Sequence, residues 1–220
     1  MKQYTLLILF VALVYTTFSQ KKKYVDGYIV SLNNDTLYGQ IVKRNAQALS
    51  QSITFKSKDS LTTYTPDGLS AFGFINKQQN YQSINYEAYQ QGKKVPARQF
   101  GKILCKGYLR LYKVYLSNHE TNYTYKIKRN YAYVIQTDTS AYTLSQYEKI
   151  KTEQETALFY QQESQRTRTY STLRKEYLGI LSYIFQDCPE VRNTISEVDF
   201  YDHDMIAIVK KYNTCKKPEK

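Results

Sequence analysis

From Tyr24 to about Ile150 the chain repeats one pattern: a short run rich in Tyr, Ile, Val, Phe and Thr, then a cluster of Asn, Asp, Gly, Pro or Ser. β-Branched and aromatic residues suit a pleated surface, and small polar residues suit tight turns, so the pattern predicts short strands with short connections. "GYIVSLNNDTLYGQIVKR" predicts two strands around a turn at Asn33, Asn34 and Asp35. "SITFKSKDSLTTYTP" predicts a second hairpin turning at Ser57 to Asp59, and Pro66, Asp67 and Gly68 predict a turn before "LSAFGFI". "YQSINYEAY" is a further strand that "QQGKKVP" breaks. "NYTYKIKRNYAYVIQTDTSAYTLSQYEKI" adds two or three more, with a turn at Thr137 to Ser140. Roughly eight to ten short strands joined in this way imply antiparallel meanders rather than a doubly wound parallel sheet.

After Lys151 the period changes. "KTEQETALFYQQESQRTRTY" is polar and free of glycine and proline, which suits a helix or a mobile connector. Leu173, Tyr177, Ile180, Leu181 and Ile184 then recur at helical spacing and predict one apolar face. Asp187-Cys188-Pro189 ends that helix, and Pro189 is placed to start a short one through Ile195. Asp202 reads as an N-cap with Asp204 in the first turn, and Met205, Ile208, Val209 and Tyr212 form the buried stripe of a last helix. Lys210 and Lys211 suit the negative pole of that helix. The expected fold is therefore α+β: an antiparallel β domain over residues 21–150, a docked helical segment over 151–215, and a loose tail over 216–220.

The first twenty residues have the layout of a secretory signal. Lys2 supplies a positive start, an apolar stretch runs from Leu6 to about Tyr15, and Thr17 and Ser19 are small residues ahead of a cleavage point before Gln20 or Lys21. A retained anchor is the alternative, but the apolar run is shorter than the ~20 residues that span a bilayer. No cysteine lies near the cleavage point, and no later stretch resembles a spanning helix. The expectation is an exported protein, periplasmic or associated with the outer membrane or its exterior, with no transmembrane segment after cleavage.

"GYIVSLNNDTLYGQI", the central "GYLRLYK" and the closing "DCP…YNTC" together resemble an exported protein family of Bacteroidetes, some members of which carry an outer-membrane barrel after this region. The resemblance implies an envelope location and a β-then-helix layout, and supplies no site residues.

Export permits disulfides, and the chain has three cysteines, Cys105, Cys188 and Cys215. Cys188 and Cys215 lie 27 positions apart, each in a small polar context at the end of a predicted helix. Their pairing would stabilise the fold by roughly 3 kcal/mol in the chain-entropy description. Two reduced thiols are the alternative, since sequence does not set connectivity. Cys105 sits in "KILCKGYLRLYK". As one continuous strand, that stretch turns Ile103, Cys105, Leu109 and Leu111 to one side and Lys102, Lys106, Tyr108, Arg110 and Tyr112 to the other. Cys105 is then a buried, unreactive thiol, and a bulge at Gly107 would change the parity.

The wet side of that strand is the candidate binding face. The formal net charge is +12, and residues 93–137 hold ten cations against Glu120 alone. Lys106, Tyr108, Arg110 and Tyr112, joined by Tyr123 and Tyr125, form a cationic, phenolic surface suited to an anionic surface or polymer, or to an envelope protein. Tyr131 and Tyr133 share the parity of the latter pair. Solvated strand positions are the plainer reading, because lysine blunts sheet edges and tyrosine is a good strand residue. Export disfavours a nucleic-acid partner, and the absence of tryptophan weakens a carbohydrate role.

Candidate chemistry is sparse. "DFYDHDM" gathers Asp202, His203 and Asp204, but adjacent helical residues diverge, and a helix start wants these carboxylates. His119 reads as a loop residue, and Asn122 heads an Asn-Tyr-Thr sequon that matters only in a glycosylating host. Neither a phosphate-binding glycine loop nor a nucleophile elbow nor a metal signature is found, so no cofactor and no metal is expected. The expected function is a non-enzymatic envelope binding module. The alternatives are a hydrolase with its site between sheet and helices, marked by His203 or His119 in a deep pocket with a carboxylate, or a purely structural envelope component.

Overall fold

The computed structural model describes residues 23–216, apart from 59, 91–92, 117–124, 128 and 160–161. Side chains at 89, 90, 93, 125–127, 153–159 and 162–167 are likewise outside the description. Residues 1–22, which include the stretch read as a secretory signal, and His119, Asn122, Tyr123 and residues 217–220 lie outside the described residues.

Local sequence builds the first half as expected. Strands β1 (Tyr24–Val30) and β2 (Thr36–Val42) pair antiparallel around a turn in which Asn34 takes a positive φ of 66°, a conformation that asparagine tolerates. Helix α1 (Ala46–Gln51), unanticipated from the apolar pattern, starts where the Asn45 side chain accepts the Ala48 N–H at 2.8 Å. Strands β3 (Ile53–Lys56) and β4 (Leu61–Tyr64) form the second hairpin, closed by the Ser57 N–H on Ser60 O. Strands β5 (Ala71–Phe74), β6 (Gln79–Gln90), β7 (Lys93–Cys105), β8 (Arg110–Tyr115), β10 (Tyr131–Gln136) and β11 (Ala141–Leu144) complete an antiparallel ten-stranded sheet, with short β9 (Tyr125–Ile127) outside it. Its order is β11-β10-β8-β7-β6-β5-β1-β2-β3-β4.

The sheet curls until β11 approaches β6, where the Thr143 hydroxyl donates to Glu87 O at 2.7 Å. Curling buries both faces of the central strands. In the register of β8 and β10, Tyr112 faces Val134, and both point into the curl with Ile84, Tyr86, Val114 and Ala132. The neighbouring pair Leu111 and Ile135 points the other way, under the C-terminal helices. A third apolar cluster, around Phe72, Tyr81 and Phe100, sits between the remaining strands and Leu49 of α1.

The stretch after Ser145 corrects the expected boundary at Lys151. Residues read as a helix or connector form a long ribbon, β12 (Tyr147–Phe159) with β13 (Gln162–Arg174), which β9 extends into a three-stranded sheet. Its alternating Thr, Arg and Glu positions are strand-compatible, and pairing decides between states that a polar segment leaves open. The helical part begins only at α2 (Glu176–Ile184), so Leu173 belongs to a strand and lies 37% exposed. Tyr177 and Leu181 of α2 are buried as expected. Pro189 opens α3 (Pro189–Arg192), and Met205, Ile208, Val209 and Tyr212 are the buried stripe of α4 (Asp202–Cys215). No helix among the described residues is long and apolar enough to cross a membrane.

Candidate functional site

The opening segment of the candidate face is a hairpin, not one strand. β7 stops at Cys105, residues 106–109 turn, and β8 starts at Arg110. Cys105, Leu109 and Leu111 are buried, and Lys106 and Tyr108 are exposed, as alternation required, whereas Ile103 packs with the opposite cluster inside the curl because the register shifts between it and Cys105. Tyr112 departs from it. It is 1% exposed inside the curl, with its hydroxyl on Gln82 Oε1 at 2.9 Å, because the sheet closes over what would otherwise be a wet face.

The turn is held by a residue more than a hundred positions away. Asn213 of α4 accepts the Leu109 N–H on Oδ1 at 2.7 Å and donates from Nδ2 to Leu109 O at 3.0 Å. Gly107 permits this approach, since a Cβ there would lie 2.4 Å from Asn213 Nδ2. Between turn and helix is a half-open groove of about 580 Å³. Leu104 and Cys105 form its floor, while Lys106, Tyr108, Lys210 and Lys216 stand around it.

The electrostatics separate these lysines. Lys216 pairs with Asp187, which also accepts the Tyr212 hydroxyl at 2.9 Å, and Lys216 above all holds the Asp187 carboxyl below the usual range. Burial, followed by the Asp187 hydrogen bond, pushes Tyr212 up. Lys106 and Lys210 have no ion pair among the described residues. Burial raises the Cys105 thiol despite Lys210 and a 3.8 Å contact from Asn213 Nδ2, so it stays protonated and apolar. The floor is therefore hydrophobic and the rim cationic, a chemistry complementary to an anionic group on an apolar stem. The Cys188–Cys215 disulfide joins the end of α4 to the start of α3 and supports the groove's helical wall.

Of the residues read from sequence, Lys106 and Tyr108 meet at this groove. Arg110 turns away, with its guanidinium on Thr137 O at 3.1 Å and Asp138 at 3.3 Å. Tyr112 is interior, Tyr123 lies outside the described residues, and Tyr125 is described only as backbone of β9. Lys210, Asn213 and Lys216 were missed. They carry no local motif, and only the basic run beside Cys215 hints at them.

A second polar cluster joins helix to sheet. Asp202 is the first residue of α4 rather than its N-cap, a place taken by Tyr201. Its Oδ1 accepts Lys113 Nζ at 2.8 Å and the Tyr133 hydroxyl at 2.6 Å. Tyr131 and Tyr133 share a face, as expected, but that face packs on Phe200 and is not wet. Arg129 lies 4.2 Å over the Tyr201 ring, which stacks on His203. His203 contacts Asp204 at 3.2 Å with 78% of its side chain exposed. Among the described residues there is no group of three or more His, Cys, Asp or Glu side chains arranged to hold a metal ion.

Burial opposes ionisation of Asp202, but Lys113, Tyr133 and nearby Lys102 outweigh it and hold the carboxyl below the ordinary range. A depressed folded-state pKa stabilises the fold above the unfolded value of about 4 and loses that contribution as pH falls through the folded value. Asp202→Asn is therefore expected to lower the unfolding midpoint at pH 7 and to narrow its gap to wild type below pH 4. Acid-series thermal denaturation reads both, and a gap that stays constant from pH 7 to pH 2 contradicts the assignment.

Comparison with protein-family models, curated proteins and solved structures finds no match to this chain.

Proposed function

We propose that this chain is an exported, non-enzymatic binding module of the cell envelope, and that the groove between the β7–β8 turn and α4 receives an anionic group of its partner. The observation that carries this reading is the pair of ammonium groups of Lys106 and Lys210, without an ion pair among the described residues, above an apolar floor and beside the 62% exposed ring of Tyr108. A concave, mainly apolar site of several hundred Å³ with a few convergent polar groups is the usual form of a ligand pocket. The Cys188–Cys215 disulfide suits an oxidising compartment and so supports export. The signal-like start and the Bacteroidetes resemblance point the same way.

The hydrolase alternative asked for a histidine and carboxylate inside a deep pocket. His203 has its carboxylate, Asp204, but stands in solvent, and His119, the other histidine that reading named, lies outside the described residues. The binding reading is tested by retention of purified protein on cell-envelope fractions at about 10 mM salt, where exposed charges act over about 30 Å. Wild type is expected to be retained and K106E/K210E to elute freely, with unchanged near-ultraviolet circular dichroism. Equal retention of both proteins overturns the reading.

A further inference from the structure

We infer that β13 is a self-association edge: two copies of this chain pair through it, antiparallel about a two-fold axis at Thr169, so that their ribbons form one continuous sheet. β13 lies at the rim of its sheet, with β12 on one side and no strand on the other among the described residues. Arg168 to Arg174 are all exposed, so both faces of the strand meet solvent there. Such an edge offers a row of main-chain N–H and C=O groups to any strand that fits it. Little in β13 blunts that offer. The strand contains neither proline nor glycine, and its register with β12 runs from Tyr147 opposite Arg174 to Phe159 opposite Gln162 without a bulge. β9 backs only the root of β12, from Tyr147 to Lys149. The rest is a two-stranded ribbon, a form that is marginal in water until further strands join it.

The sequence of β13 specifies the occupant. About a two-fold axis, residues equally far from the axis stand opposite each other with side chains on one face, so each axis position defines one register. Like charges directly opposed are destabilising. With arginine at 166, 168 and 174, axes at 166, 167, 168, 170 and 171 each set arginine against arginine. Axes outside that range pair little more than half of the strand at best. An axis at Thr169 uses nearly the whole strand and opposes no like charges.

In that register Arg168 meets Tyr170 of the second copy, a guanidinium beside a phenol ring that is 45% exposed in the single chain, and the contact occurs twice across the axis. Thr169 meets its own counterpart, a hydroxyl pair of the kind that bridges strands favourably. The two ribbon roots, at Arg174, stand about 34 Å apart along the strand direction, which leaves the two bodies at opposite ends of the joined sheet. Because the same edge is used by both copies, the contact closes as a dimer and does not grow into a fibre.

The test is sedimentation velocity of the full chain between about 1 and 100 μM, a range in which a contact of micromolar affinity shows its concentration dependence. Wild type is expected to pass from one chain to two. T169K and T169E each set a charge against its own copy at the axis, while within the ribbon position 169 faces the uncharged Thr152. Each variant alone is expected to weaken the dimer at least about tenfold, and an equimolar mixture of the two to regain it. The regained dimer separates loss of the interface from loss of the ribbon, since a variant that fails to fold has no edge to offer its complement. Wild type that stays a single chain at about 100 μM would overturn the inference. So would T169K and T169E dimers as tight as wild type, or a mixture no tighter than either variant alone. The groove and its lysines take no part in this contact, so retention on envelope fractions is decided separately.

Discussion

Reduction of the Cys188–Cys215 disulfide, or its removal as C188S/C215S, is expected to destabilise the protein by about 3 kcal/mol. The bond spans 27 positions, and in the chain-entropy description a loop of that size restricts the unfolded ensemble by this amount. For a chain of this length the loss corresponds to a fall of about 6–12 °C in Tm. Cys188 is fully buried in the core under α2 and α4 whereas Cys215 is exposed, so the change at 188 also leaves a hydroxyl in an apolar place, and the double serine variant is expected to fall further than the reduced wild type. Calorimetry with and without reductant makes the comparison. A midpoint that reductant does not move, with reduction checked by thiol titration, would mean that the bridge contributes nothing.

Asn213→Ala is expected to cost about 2–3 kcal/mol, although it deletes no part of the apolar core. Its amide satisfies both the N–H and the C=O of Leu109, and each buried group left without a partner costs about 1–3 kcal/mol. The same change should free the 106–109 turn and speed hydrogen exchange at the Leu109 amide. Gly107→Ala gives an independent handle, because its Cβ would collide with the Asn213 amide. In wild type that substitution is expected to destabilise, and in the Asn213→Ala background it should cost much less, since the amide contacts at 2.4 and 2.8 Å are gone and only the Cβ at 3.3 Å remains. Additive effects in this double-mutant cycle would show that the clamp and the glycine act separately.

Much of the fold was legible because it is local. The Asn33–Asp35 turn, the Thr137–Ser140 turn, the Pro189 helix start and the buried stripe of α4 each depend on residues a few positions apart. The ribbon over 147–174 was not legible, because a polar segment without a hydrophobic period takes its state from its pairing partner. Tyr112 and Tyr133 were misread for a related reason. Alternation separates two faces but does not say which of them will be covered, and here the curl covers one and α4 the other.

The candidate site divides the same way. Lys106 and Tyr108 were found through the alternation of a stretch read as one strand, and they are exposed because the chain turns there between β7 and β8. Lys210, Asn213 and Lys216 looked like the polar side of an ordinary helix, and nothing within α4 says that a turn a hundred residues earlier will dock on it.

Sequence alone thus determined the strand and helix periods, the turn positions, the excess of positive charge and a buried environment for Cys105. Tertiary structure decided which tyrosines are wet, which lysines are left without a carboxylate, and that a distant asparagine shapes the groove. Period and turn chemistry act over a few residues, whereas burial and ion pairing depend on what long-range packing brings alongside.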